Sequence, residues 1–185
     1  MKNIVIASLL GGLTMFIWGA ISWTILPWHK ATMHSFSNED AIVSTIKAGN
    51  AASGAYTVPG MSDNPEAQMA KAKAGPVAMV FYSAEGEDMM TPMFFIKGIL
   101  LDIVVMIIAV SMLSKISWSL ATYANRVRFM MMIGLIIALM CRVGDIIFMH
   151  APVDFNLIFA VDEVVTWTLA GLVVAKFTKP AMKKA

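Results

Sequence analysis

Four long apolar runs, residues 3–26, 92–113, 129–149 and 154–175, constrain this chain more than any other feature. Each is about 20 residues long, and at about 1.5 Å of rise per residue a helix of that length crosses about 30 Å of hydrocarbon. Backbone in lipid must satisfy its own hydrogen bonds, so each run is expected as a helix. The chain is 58% hydrophobic, which excludes an ordinary soluble domain. A leading Lys2 followed by apolar residues also fits a secretory signal. The first run is longer than a signal core and no A-x-A site follows it, so a retained membrane helix is the reading. Within it, Ala7/Gly11 and Ser8/Gly12 are small-xxx-small pairs that let another helix approach closely.

Charge gives the expected orientation. All twelve acids lie between Glu39 and Glu163. Lys2, the stretch 114–128 with Lys115, Arg126 and Arg128, and the tail with Lys176, Lys179, Lys183 and Lys184 are basic and hold no acid. Basic segments of membrane proteins stay in the cytoplasm. Four spans then place both termini in the cytoplasm and residues 28–91 outside, in a bacterial inner membrane. A formal net charge of only +2 gives no reason to expect nucleic acid as a partner.

Residues 28–91 differ in kind, with seven acids, four lysines and many turn residues. Ser37-Asn38-Glu39-Asp40 resembles a capping box with Ser37 as N-cap, followed by a helix to Gly49. Gly54–Val58 reads as a strand stopped by Pro59-Gly60. Asp63-Asn64-Pro65 starts a second helix that ends at Gly75. Val77–Ser83 is the strongest strand pattern in the chain. The expected fold is therefore an α-helical integral membrane protein: helix 1 in 1–27, a small α+β extracytoplasmic insertion in 28–91, and helices 2 to 4 in 92–185. About 60 residues with two strands bury little core, so the insertion is expected to lean on the membrane or on a partner.

The sequence also carries W-G-A-I-S-W-T-I-L-P-W-H at 18–29, G-A-Y-T-V-P at 54–59, G-P-V-A-M-V-F-Y at 75–82 and D-E-V-V-T-W-T-L-A-G-L-V-V-A at 162–175. On these marks the chain resembles a family of bacterial four-helix inner-membrane proteins. The resemblance implies the topology and no activity.

Six ionisable groups fall inside the apolar runs: Lys97, Asp102, Arg142, Asp145, Asp162 and Glu163. They lie about 6–15 Å from the outer ends of their helices. A charge at mid-membrane costs about 2.5–3.5 kcal/mol on insertion scales, so these groups are expected to face one another as an intramembrane polar cluster. Arg142 and Asp145, at i and i+3, are expected to pair. Arg142 is the expected hub, reaching Asp102, Asp162 or Glu163 on neighbouring helices as well as Asp145, because a guanidinium stays charged and needs a carboxylate nearby. The cluster can fix helix packing, carry protons or ions, or bind a partner.

Trp18, Trp23, Pro27, Trp28 and His29 read as an interfacial anchor: tryptophan buries its ring there and keeps its N–H wet, and proline ends the helix. A sharper reading makes His29 a ligand or a proton carrier. His29, Met33 and His34, in a chain with 17 methionines, raise a copper reading. The spacing matches no known ligand frame, so no cofactor is expected. Cys141 lies in an apolar run and reads as a small buried hydrophobe. No nucleophile elbow, P-loop, dinucleotide fingerprint or H-E-x-x-H motif occurs, and no enzyme is expected. The leading reading is an accessory or assembly subunit of a larger inner-membrane complex, in contact with lipid and with other subunits or a second copy of itself. The alternatives are an extracytoplasmic copper- or ligand-handling protein and a small proton-linked transporter.

Overall fold

A computed structural model of the chain describes residues 2–49, 52–88 and 90–179. Met89 and the tail lysines Lys183 and Lys184 lie outside the described residues. The element order is α1 (Lys2–Thr24), α2 (Trp28–Ala31), α3 (Glu39–Ala48), β1 (Gly54–Val58), α4 (Pro65–Ala74), β2 (Ala78–Tyr82), α5 (Pro92–Ile116), α6 (Tyr123–Ile137), a π-helical segment (Ala138–Val143), α7 (Gly144–Phe148) and α8 (Val153–Val174). The chain divides into two compact units, residues 1–34 with 90–185, and residues 35–89. The division places Trp28 and His29 in the helical unit, whereas 28–91 was expected as one insertion.

The helical unit has four helices long and apolar enough to cross a membrane: Lys2–Thr24, Pro92–Ile116, Tyr123–Phe148 and Val153–Val174. Their ends follow local chemistry. Thr91 caps α5 by accepting from the Phe94 amide, with Pro92 in the first turn, where a missing N–H costs nothing. Thr122 caps α6 by accepting from Asn125. The third span therefore starts at Tyr123, and the basic connector expected over 114–128 is partly helical. Arg126 is buried there. Its Nε donates to the Ala175 carbonyl at 3.3 Å and its Nη1 to the Leu120 and Ala121 carbonyls at 2.9 and 3.0 Å. It takes up the Ala175 carbonyl just past α8, while the preceding carbonyls accept from the amides of Ala175 to Thr178 and from the Tyr123 hydroxyl.

Small residues set the packing. A Cβ on Gly12 would sit 2.8 Å from the Ile103 backbone, and one on Gly11 would sit 2.7 Å from Val174. Ala7, Ser8, Gly11 and Gly12 are all buried, so α1 lies close against α5 on one side and α8 on the other. On the far side of α8, Gly134 of α6 faces Trp167, and Gly171 faces Met130. Met106, Ala109, Val110, Leu113, Met130, Ala170 and Val174 close an apolar core between these helices. It fills the half of the unit that holds the N-terminal end of α1. The other half is polar.

In the second unit, β1 and β2 pair antiparallel, from Gly54 opposite Tyr82 to Val58 opposite Ala78. Asn38, not Ser37, caps α3, accepting from the Ala41 amide at 3.1 Å. Asn38 directly precedes the first helical residue and its amide oxygen reaches the third, so the cap lies one residue past the expected Ser37, and Ala41 at the third position cannot complete the expected box. Asn64 caps α4 in the same way, with Pro65 at its start, and Gly75 ends it at φ 70°. No residue of α3, α4, β1 or β2 is fully buried.

A test follows from Gly134. Gly134→Ala puts a methyl 2.6 Å from Trp167 Cβ and should lower stability by about 1–3 kcal/mol, the usual range for overpacking. Gly19→Ala meets no atom within 4 Å and should not. Thermal unfolding in mild detergent compares the two.

Candidate functional site

The polar half is built from one face of α1, the turn that follows it, α8 and the π-helical segment. Trp18 and Ser22 are four residues apart on α1 and share a face. After Thr24 the helix ends. Leu26 still donates to the Ile21 carbonyl at 3.2 Å, and Pro27 opens the single turn of α2. That turn brings His29 back to Ser22. The histidine is fully buried.

His29 Nε2 lies 3.0 Å from Ser22 Oγ and 3.2 Å from Asp162 Oδ2. Trp28 Nε1 donates to Ser22 Oγ at 3.0 Å, and Trp18 Nε1 donates to Asp162 Oδ1 at 2.6 Å. Each carboxylate oxygen of Asp162 thus has a protein partner. Trp23 stacks on the imidazole, with ring centroids 4.3 Å apart and planes within 7°. Phe159 of α8 meets the same ring edge-on at 4.7 Å. His29 Nδ1 is buried with no hydrogen-bond partner.

Trp18 and Trp28 were expected to hold their N–H groups in interfacial water. Both indoles instead donate to protein acceptors, because the turn after α1 folds them back beside a carboxylate and a hydroxyl that need donors. Trp23 keeps 44% of its surface exposed, and Pro27 is exposed too.

Arg142 projects from the π-helical segment. Its Nε lies 3.4 Å from Glu163 Oε2, near enough for an ion pair but not aligned as a hydrogen bond. Its guanidinium carbon lies 5.0 Å from the centre of the Phe159 ring, within cation–π range. Trp23, Arg142, Asp162, Glu163 and Thr166 border a cleft of about 220 Å³ beside the His29–Asp162 pair.

Six intramembrane charges were expected to meet. The structure brings Arg142, Asp162 and Glu163 together and leaves the other three apart. Lys97 is exposed, Asp102 and Asp145 are half-buried, and none of the three makes an ion pair among the described residues. Two causes are visible. Lys97 and Asp102 belong to α5, which packs on α1, not on the site-bearing face of α8. The wide π turn changes the angular spacing between Arg142 and Asp145, and i, i+3 neighbours no longer align as on an α-helix. Cys141, expected buried, is exposed on the same segment.

Met33 and His34 are exposed, whereas His29 is turned inward onto Asp162. The three therefore do not share a surface as the copper reading requires. Among the described residues, no group of three or more His, Cys, Asp or Glu side chains is placed to hold a metal. Ser22, His29 and Asp162 form a Ser–His–Asp constellation, but serine and carboxylate both converge on Nε2. A catalytic relay needs the base on one ring nitrogen and the carboxylate on the other.

The expected cluster omitted Trp18 and Ser22, and treated His29 as a surface group. The signal was present: Ser8, Gly11, Met15, Trp18 and Ser22 run down α1 at helical spacing, small at one end and hydrogen-bonding at the other. No family model, curated protein or solved structure matches this chain.

Arg142→Leu should reduce the folded fraction more than Lys97→Leu, since it strands Glu163. Both partners keep about a quarter of their surface, 29% and 23%, so the effect should be about 1–2 kcal/mol, below that of a fully buried pair. Adding Glu163→Gln should restore part of the loss. Size-exclusion chromatography in mild detergent measures the folded fraction of all three variants.

Proposed function

We propose that this chain is a multi-pass protein of the bacterial inner membrane, without catalytic activity, that serves as an accessory or assembly subunit of a larger complex. Both termini lie in the cytoplasm and residues 35–89 on the outer side. The orientation rests on the acid-free basic segments Lys2, Lys115 to Arg128 and Lys176 onward. Four helices of sufficient length and apolarity support the membrane reading. Their outward faces carry large apolar side chains, Leu101, Val104 and Ile108 of α5 among them, as a helix bordered by lipid requires.

The observation that carries the subunit reading is the two-stranded sheet. A sheet of two strands is marginal in water without cover. Val77, Met79 and Phe81 alternate along β2 and its approach, which puts them on one face, and Phe81 remains 81% exposed. Val77 and Met79 on the same face stay 51% and 44% exposed among the described residues. A partner's apolar surface fits it. The cleft beside Asp162 is then part of the fold's own packing in this reading, and no bound cofactor is required.

Purification from native membranes in mild detergent is the test. The chain should co-purify with larger membrane proteins at fixed stoichiometry, and Phe81→Asp should release them while the helical content stays unchanged. Elution as a lone chain, or copper at one ion per chain by elemental analysis, would favour the handling alternative.

A further inference from the structure

We propose that His29 and Asp162 form a proton-binding site, and that its occupancy sets how firmly α2 is held against α8. This inference does not rest on the subunit reading.

His29 Nε2 faces both Ser22 Oγ, at 3.0 Å, and Asp162 Oδ2, at 3.2 Å. A neutral imidazole carries a single proton. With it on Nε2, the ring donates toward Asp162, and Nδ1 is a bare buried acceptor. With it on Nδ1, Nε2 accepts from Ser22 and its lone pair faces the carboxylate. The imidazolium carries both protons: Nε2–H faces Asp162, which balances the charge, and Nδ1–H has no acceptor among the described residues. Taking up one proton thus brings the pair from charge −1 to zero, and a net-neutral pair is the form that suits a site out of water. The parallel ring of Trp23 adds a cation–π contact to the charged form.

The groups facing the ring are few. From α8 come Asp162 and the neutral Phe159; from α1, Ser22 and Trp23; from α2, Trp28. The only ionisable group among them is Asp162. Arg142 and Glu163 stand behind Phe159 and beside the cleft, paired with each other. The histidine side chain keeps 1% of its surface and Asp162 keeps 13%, so the carboxylate is the door between the cleft and the ring. From the form that holds its proton on Nδ1, a proton that enters from the cleft onto Asp162 passes to Nε2 across the 3.2 Å contact. No polar chain continues from the pair along α8: the next turns hold Val164, Val165, Trp167, Leu169 and Ala170, and Thr166 and Thr168 each donate to a carbonyl of their own helix. The site therefore stores a proton and holds α2; it does not pass the proton across the unit.

Intrinsic tryptophan fluorescence of the full chain in detergent, followed against pH, reads the site directly, since a charged imidazole quenches a stacked indole. Between about pH 5 and 8, where histidine changes charge, emission should rise with pH in one transition. His29→Gln should abolish it. Asp162→Asn removes the counter-charge that faces the ring and should displace the transition from its wild-type position. His34→Gln with His150→Gln, both exposed positions, should leave it in place. A flat wild-type profile overturns the proposal, as does a transition that survives His29→Gln. If His29→Gln does not fold, Asp162→Asn decides alone: an unmoved midpoint overturns it.

Discussion

The structure depends on one buried carboxylate. Asp162 lies nine residues into a long apolar helix, where an unpaired charge is untenable. Its two oxygens collect donors from two different places in the chain, Trp18 within α1 and His29 in the turn beyond it. The local form of α2 follows from that need. The apolar helix must stop at Thr24, Pro27 must redirect the chain, and the next turn must bring an imidazole back over α8. Trp23 and Phe159 then cover the imidazole ring, one stacked on it and one edge-on.

The opposite half of the helical unit solves the complementary problem. Helices apolar enough to cross a membrane gain little in lipid from hydrophobic association, and close backbone approach with dispersion is what can hold such helices together. Gly11 and Gly12 admit α8 and α5 to the α1 backbone, and Gly134 and Gly171 repeat the device between α6 and α8. Packing fixes the helices at one end and hydrogen bonds fix them at the other. The π-helical segment belongs to the polar end: it presents Arg142 to Glu163 and to the Phe159 ring.

Much of this was legible in the sequence, for identifiable reasons. Apolar run length is a property of the local chain, so the four long helices could be read directly. Turn chemistry is local too: Pro59, Pro65 and Gly75 bounded the elements of residues 35–89, and the capping error at Ser37 was a single residue. The small-xxx-small pairs of α1 named the positions where other helices come closest. The site was less legible because it depends on which helices are neighbours. Depth alone put Lys97 and Asp102 at the level of Asp162; it carries no information that α5 lies on another side of α1. The π turn has no signature in A-L-M-C-R-V, and without it Asp145 was expected beside Arg142 together with a carboxylate of another helix; Glu163 was among those named. The tryptophans were read by their usual habit at interfaces, and a buried acceptor on a distant helix overrode that habit.

The central claim is that His29 and Asp162 act on each other directly across the helical unit. A double-mutant cycle of His29→Gln, Asp162→Asn and the two combined, read as thermal stability in one detergent, tests it most directly. The account predicts that the combined variant is less destabilised than the sum of the single changes, by about 1–3 kcal/mol of coupling. Additive effects would mean that the two residues stabilise the chain separately, and would contradict it.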